Sequence, residues 1–228
     1  MEARLLRSLS QILGPLALVG MLAAMYAAFI HAPREATMGD VYRIFFIHVP
    51  TAINAYLAFG LVFVGSVLYL FRRKFRWDTL AEIAAQQGVL FTTLAMVTGS
   101  FWARPVWNTW WTGDPQLTTT LIMWFMYVGY LIVRGALQPG EQRARLAAVF
   151  GIVAVVTLPL AHFAVELWRG LHPGRGGMDI TVEMRQALMI SMLAVTLLNG
   201  YLLVKRLQFA QLRRRAEMLR EQLRQIRG

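Results

Sequence analysis

The sequence predicts an all-α integral membrane protein, a six-helix transmembrane bundle with both termini on one side. Three observations predict it. Six long apolar runs follow one another along the 228 residues. The chain is 57% apolar and 15% charged, against about 45–50% and 25% for soluble domains. The charged residues gather between the runs and leave their centres empty. A helix rising about 1.5 Å per residue needs roughly 20 apolar residues to cross a hydrocarbon layer of about 30 Å, and the stretches 11–30, 50–71, 83–103, 117–134, 146–165 and 187–204 meet that need.

The first run follows Arg4 and Arg7, as in a signal peptide, but it is longer than a secretory apolar core and no small-residue cleavage site precedes Pro33. It is therefore read as a helix. The second begins at IHVP, residues 47–50, and ends in the basic cluster FRRKFR, residues 71–76. The third runs into a tryptophan cluster, which is read as an outer loop between the third and fourth helices. Asp114 and Pro115 introduce the fourth, in the pattern of an N-cap followed by proline in the first turn. The fifth and sixth are uninterrupted, and residues 1–204 read as one compact six-helix domain. Residues 205–228, KRLQFAQLRRRAEMLREQLRQIRG, continue in helix formers. They read as a basic C-terminal helix that lies near anionic headgroups, against a cytoplasmic partner, or free in solvent.

Charge sets the expected orientation. Short loops rich in Lys and Arg stay cytoplasmic, and 17 of the 23 basic residues fall on the side of the termini, including Arg134, Arg143 and Arg145. The other side holds Arg34, Arg43, Arg104, Arg169, Arg175 and Arg185. The acidic residues divide evenly, so the net charge of +11 belongs to the cytoplasmic side. In a soluble chain such a balance would point to nucleic acid; between membrane spans it is topology. The absence of cysteine excludes disulfides, iron–sulfur clusters, thiolate catalysis, cysteine-ligated zinc and c-type haem attachment.

The candidate chemistry lies on the outer side. Four of the seven tryptophans, Trp102, Trp107, Trp110 and Trp111, fall within ten residues. They are either an interfacial aromatic belt or a platform for a planar apolar ligand such as a porphyrin. Arg104 stands among them, able to pair with a ligand carboxylate or to snorkel to the interface. Asp114 has its capping role and room for a second. The four histidines, His31, His48, His162 and His172, all map to the outer half. His48 in IHVP and His172 in LHPG each precede a proline closely. Either is a hydrogen-bonding residue or a nitrogen ligand, and two imidazoles suffice for a six-coordinate haem. His162 and Glu166 share a helical face at i, i+4. A zinc hydrolase is the weaker reading, since no H-E-x-x-H helix or three-histidine group is present.

Across GSFWARPVWNTWWTGDPQLT, residues 99–118, together with YRIFFIHVP, residues 42–50, and His172, the chain resembles the CcmC family of haem-handling membrane proteins of cytochrome c maturation. The resemblance covers nearly the whole chain. It implies that His48 and His172 are axial ligands of haem b held in transit at the periplasmic face of a bacterial inner membrane. The Trp-rich loop, with Trp102, Arg104, Trp107, Trp110, Trp111 and Asp114, would bind the edge and face of that haem. It further implies the periplasmic haem chaperone CcmE as recipient, with CcmD and the CcmA and CcmB subunits of an ATP-driven transporter as partners. Three positions depart from the family pattern: Asn108 where glycine is common, Gly113 where tryptophan is common, and Gln116 where arginine is common.

Two functions follow as expectations. The first is haem capture and presentation, which need not be enzymatic, since no residue set looks like a nucleophile with a general base, and which would assist covalent haem loading of the chaperone. The alternative is the permease subunit of an ATP-driven exporter of haem or another solute. A permease needs polar groups at mid-depth, and Asn54, Gln86, Gln87 and Asn199 are the candidates; helix–helix hydrogen bonding is their other reading.

Overall fold

A computed structural model describes residues 2–172 and 180–227, and among them the chain is helical apart from turns and one isolated bridge between Glu35 and Gly39. Pro173, which follows His172, and Arg175, counted on the outer side, lie outside the described residues. The helices are α1 (Glu2–Tyr26), α2 (Phe45–Arg72), α3 (Phe75–Trp107), α4 (Pro115–Ala136), α5 (Glu141–Ala154), α6 (Thr157–His162), α7 (Ala164–Leu167) and α8 (Val182–Arg227). A π-helical turn, Ala27–His31, ends α1, and a 3-10 turn, Asp40–Ile44, leads into α2. Among the described residues, six helical segments are long and apolar enough to cross a membrane, the fifth being Glu141–His162. The chain is a multi-pass membrane protein.

The helices outrun the apolar stretches. The apolar run 83–103 sits inside Phe75–Trp107, and a buried ion pair carries the added N-terminal turns. Arg134 on α4 is 2% exposed and grips Asp78 of α3 with both terminal nitrogens, at 2.5 and 2.9 Å, while its Nη2 also reaches Glu82 at 3.0 Å. Arg134, expected among the loop charges, is thus a buried clamp. Asp78 and Glu82 at i, i+4, opposite an arginine at the end of the next antiparallel helix, are the sequence signal for it. The fifth span is broken where one helix was expected. Pro159 has no N–H for the Val155 carbonyl; Leu158 bonds it at 3.0 Å instead, and the chain turns between α5 and α6.

The core is built around α2. Its Phe59 and Val62 are fully buried among Ala84 and Ala85 of α3, Tyr127 of α4 and Ala147 of α5. Small residues permit the close approach expected between membrane helices. The Phe59 ring fills the notch over Gly88, where any Cβ would stand 2.2 Å from it, and its other neighbour is the stacked ring of Tyr127. Deep in the bundle, α2, α3 and α8 are joined by a chain of amides. Gln87 donates to the carbonyl and side-chain oxygens of Asn199 at 3.1 and 3.0 Å, and Asn199 donates to Asn54 at 3.0 Å. Asn54 donates in turn to the Pro50 carbonyl and to Thr196. Gln86 accepts from Arg206. Asn54, Gln87 and Asn199 therefore join helices, as does Gln86, which also borders a cleft between α3 and α8.

Candidate functional site

At the end of the bundle opposite the α2–α3 connection, α2, α3, the start of α4 and the segment after α7 border a cleft with a cavity volume of about 190 Å³. Its walls are mainly apolar. On α2 they comprise Phe45, Val49, Ala52, Ile53 and Tyr56, spaced to lie on one helical face. On α3 they include Ala95, Met96 and Gly99, and on α4 Leu117, Thr120 and Met123. His48 and His172, distant in sequence, both line it, as do Trp102, Trp107 and Trp111.

His48 is held by α3. Its Nδ1 lies 3.0 Å from the Ala95 carbonyl and 3.2 Å from the Thr98 hydroxyl. A carbonyl can only accept, so Nδ1 carries the proton and Nε2 keeps its lone pair, the form of imidazole that ligates a metal. The Thr98 hydroxyl donates to the Leu94 and Ala95 carbonyls and so presents an acceptor to the ring. Gly99 leaves the ring its place: a Cβ there would stand 3.0 Å from Cε1 of His48. Trp102 meets the imidazole edge-on, with ring centroids 6.0 Å apart.

The tryptophans divide by location. The expectation of a loop over 102–111 is corrected in part, because α3 continues through Trp107 and only Asn108–Asp114 connects it to α4. Asn108 ends α3 in the left-handed conformation, φ 55°. Asparagine is the residue besides glycine that occupies this capping position readily. Trp102 is buried against Tyr42 and Phe45, with Nε1 3.4 Å from the Met38 sulfur, so it also belongs to the packing that orients His48. Trp107 and Trp111 border the cleft, whereas Trp110 is outside its lining, exposed, and edge-on to Phe101.

The remaining expected residues have local duties. Arg104 donates to the Asn108 carbonyl at 2.7 Å and to the Asn108 side chain, fastening the loop. Asp114 is the N-cap of α4, its Oδ1 accepting from the Leu117 N–H at 3.0 Å; its buried Oδ2 has no hydrogen-bond partner among the described residues. His31 pairs with Gln186 at 2.8 Å, and His162 packs against Tyr56 and Phe163. Two participants escaped sequence reasoning as site residues. Gly99 has no local signature. Gln116 lines the cleft with its Oε1 buried and without a partner among the described residues; its place in the first turn of α4, after an Asp-Pro cap, is the signal that could have found it.

The family model described as heme exporter protein C (CcmC) matches residues 2–222. Curated relatives of that name include one from Haemophilus influenzae, 36% identical over 193 residues, covering 83% of this chain and 76% of the relative. The relative from Escherichia coli K12 is 33% identical over 182 residues, 79% of this chain and 74% of its own length. One from Bradyrhizobium diazoefficiens is 35% identical over 193 residues, with shares of 82% and 73%.

Proposed function

The chain belongs to the heme exporter protein C family, and on that premise we propose that it carries haem b as a passing cargo, with His48 and His172 as axial ligands, and presents it to the periplasmic chaperone CcmE. One observation carries the reading: a histidine fixed with its Nε2 lone pair available shares an apolar, indole-bordered cleft with a second histidine. A bis-imidazole haem needs two nitrogen donors, a slot without water for its faces and polar groups for its propionates. The cleft's residues fit. Trp107 and Trp111 supply ring faces, Ile53, Met96 and Leu117 exclude water, and the Gln116 amide can donate to a carboxylate. Arg104 and Asp114 act by shaping the loop that presents Trp111.

The excess of Lys and Arg at the opposite end supports placing the cleft at the periplasmic face of a bacterial inner membrane. CcmD, CcmA and CcmB are the further partners in this reading. In this reading the protein's part is binding, orienting and release, with assistance to covalent haem loading of the chaperone as a further step it would serve. The permease alternative is disfavoured, because Asn54, Gln86, Gln87 and Asn199 are engaged in hydrogen bonds that hold helices together.

The test is the visible spectrum of the detergent-purified protein from haem-sufficient cells, with transfer of haem to purified CcmE as a second readout. Wild type is expected to show low-spin, six-coordinate haem. His48→Ala and His172→Ala should each lose haem or change its coordination. Unchanged spectra in both variants would refute the ligand assignment, and ATP-driven haem movement across sealed vesicles would restore the permease.

A further inference from the structure

The 46 residues of α8 extend about 69 Å, more than twice the hydrocarbon thickness of about 30 Å. The segment beyond Lys205 is therefore a helical rod, continuous with the last span and without proline, that borders the bundle as far as Glu217 and extends past it from there. Along it, Phe209, Leu212, Ala216, Leu219, Leu223 and Ile226 recur at alternating intervals of three and four. That is the a and d pattern of a coiled-coil seam, sustained for about two and a half heptads.

The protein itself leaves this seam uncovered. All six residues are exposed, the five large side chains to between 54% and 80%. Near its start the rod meets the bundle: Gln208 donates to the Leu6 carbonyl at 2.6 Å and to Ser10 at 2.9 Å, Arg214 donates to Thr79, and Phe209 and Arg213 border a cleft with Phe75 and Ile83, whereas Leu219, Leu223 and Ile226 lie beyond it.

The residues flanking the seam say what can cover it. The e and g positions hold Arg213, Arg215 and Arg220, while Glu217 and Glu221 occupy b and f, away from it. A second copy in parallel would set Arg215 against the other copy's Arg220; an antiparallel copy would set e against e and g against g. The parallel arrangement opposes arginines at g and e, and the antiparallel one opposes the arginines of the e rows, while Gln222 at g carries no charge. A helix lying flat on lipid would need α8 to bend where it is uninterrupted. We infer that the α8 extension is one half of a heterotypic coiled coil, and that its partner is a helix with an apolar a and d seam flanked by carboxylates.

The experiment uses the full chain in nanodiscs and a synthetic three-heptad peptide carrying Leu at a and d and Glu at e and g. Two control peptides carry Lys at e and g, or the same residues in scrambled order. Fluorescence anisotropy should show the Glu peptide binding at least tenfold more tightly than either control. Leu219→Asp with Leu223→Asp should abolish that binding while leaving the haem spectrum unchanged. Arg215→Glu with Arg220→Glu should transfer the preference to the Lys peptide. Equal binding of the scrambled peptide, or no binding of the Glu peptide, overturns the inference. So does dimerisation of the chain that depends on Leu219. So does a fluorophore at Leu223→Cys that reports burial in phosphatidylglycerol nanodiscs without peptide.

Discussion

Replacing Gly99 with alanine tests how far the His48 ring must be held in place. The added Cβ would stand 3.0 Å from Cε1 and 3.4 Å from Nδ1 of His48, where carbon atoms settle at about 3.5–4.0 Å. The imidazole must give way by a few tenths of an ångström. A displacement of that size stretches the 3.0 Å contact of Nδ1 with the Ala95 carbonyl towards the limit of a hydrogen bond, unless the helices part instead. The hydrogen bond at stake is worth about 0.5–1.5 kcal/mol, and removing a partner that orients a metal ligand costs about 10–100-fold in affinity, so weakening it falls at the lower end of that range. Haem retained by Gly99→Ala is therefore expected to bind about tenfold more weakly, with a five-coordinate component in the spectrum. Titrating apo-protein in detergent with haem measures both. Gly60→Ala is the control, since nothing lies within 4 Å of its Cβ. Wild-type affinity and spectrum in Gly99→Ala, or an equal loss in Gly60→Ala, would refute the reasoning.

Trp107→Ala should weaken haem retention about 2–13-fold, the equivalent of about 0.5–1.5 kcal/mol of ring contact, and Trp110→Ala, outside the cleft lining, by less; an equal loss in the same titration would return the tryptophans to a belt. Asp78→Asn should lower stability by about 3–5 kcal/mol in denaturant unfolding, towards the smaller figure because Glu82 remains beside Arg134. A loss under about 1 kcal/mol would show that the buried pair matters little. Asn108→Val should cost about 1–2 kcal/mol at a left-handed position, whereas Asn108→Gly should unfold with wild type; reversal of that order in thermal melts would exclude the cap as the reason for asparagine.

Much of the fold is legible because hydropathy summed over some 20 residues is a strong signal. The boundaries are less so, since Asp78, Glu82 and Arg134 read as charges outside a span until their mutual neutralisation is seen. The break at Pro159 was legible in principle, but the apolar run carried the stretch as one helix. At the site, composition and placement single out His48, His172 and the tryptophans. The partition of the four indoles depends on whether α3 stops before or after Pro105, which no local pattern decides. Gly99 is beyond sequence reasoning because its role is to be absent from a space that another helix fills.

The amide chain through Asn54, Asn199 and Gln87 fixes the vertical register of three helices against one another. His48 lies only about 9 Å, six residues, above Asn54 on the same helix. Sliding any of these helices by one turn, about 5.4 Å, would strand primary amides in oil with nothing to accept or donate. The floor beneath the histidine is consequently ratchet-proof, which leaves the Asn108–Asp114 connection, tied to the helices by Arg104, the Asp114 cap and the Thr118 hydroxyl on the Gly113 carbonyl, as the wall with the fewest ties.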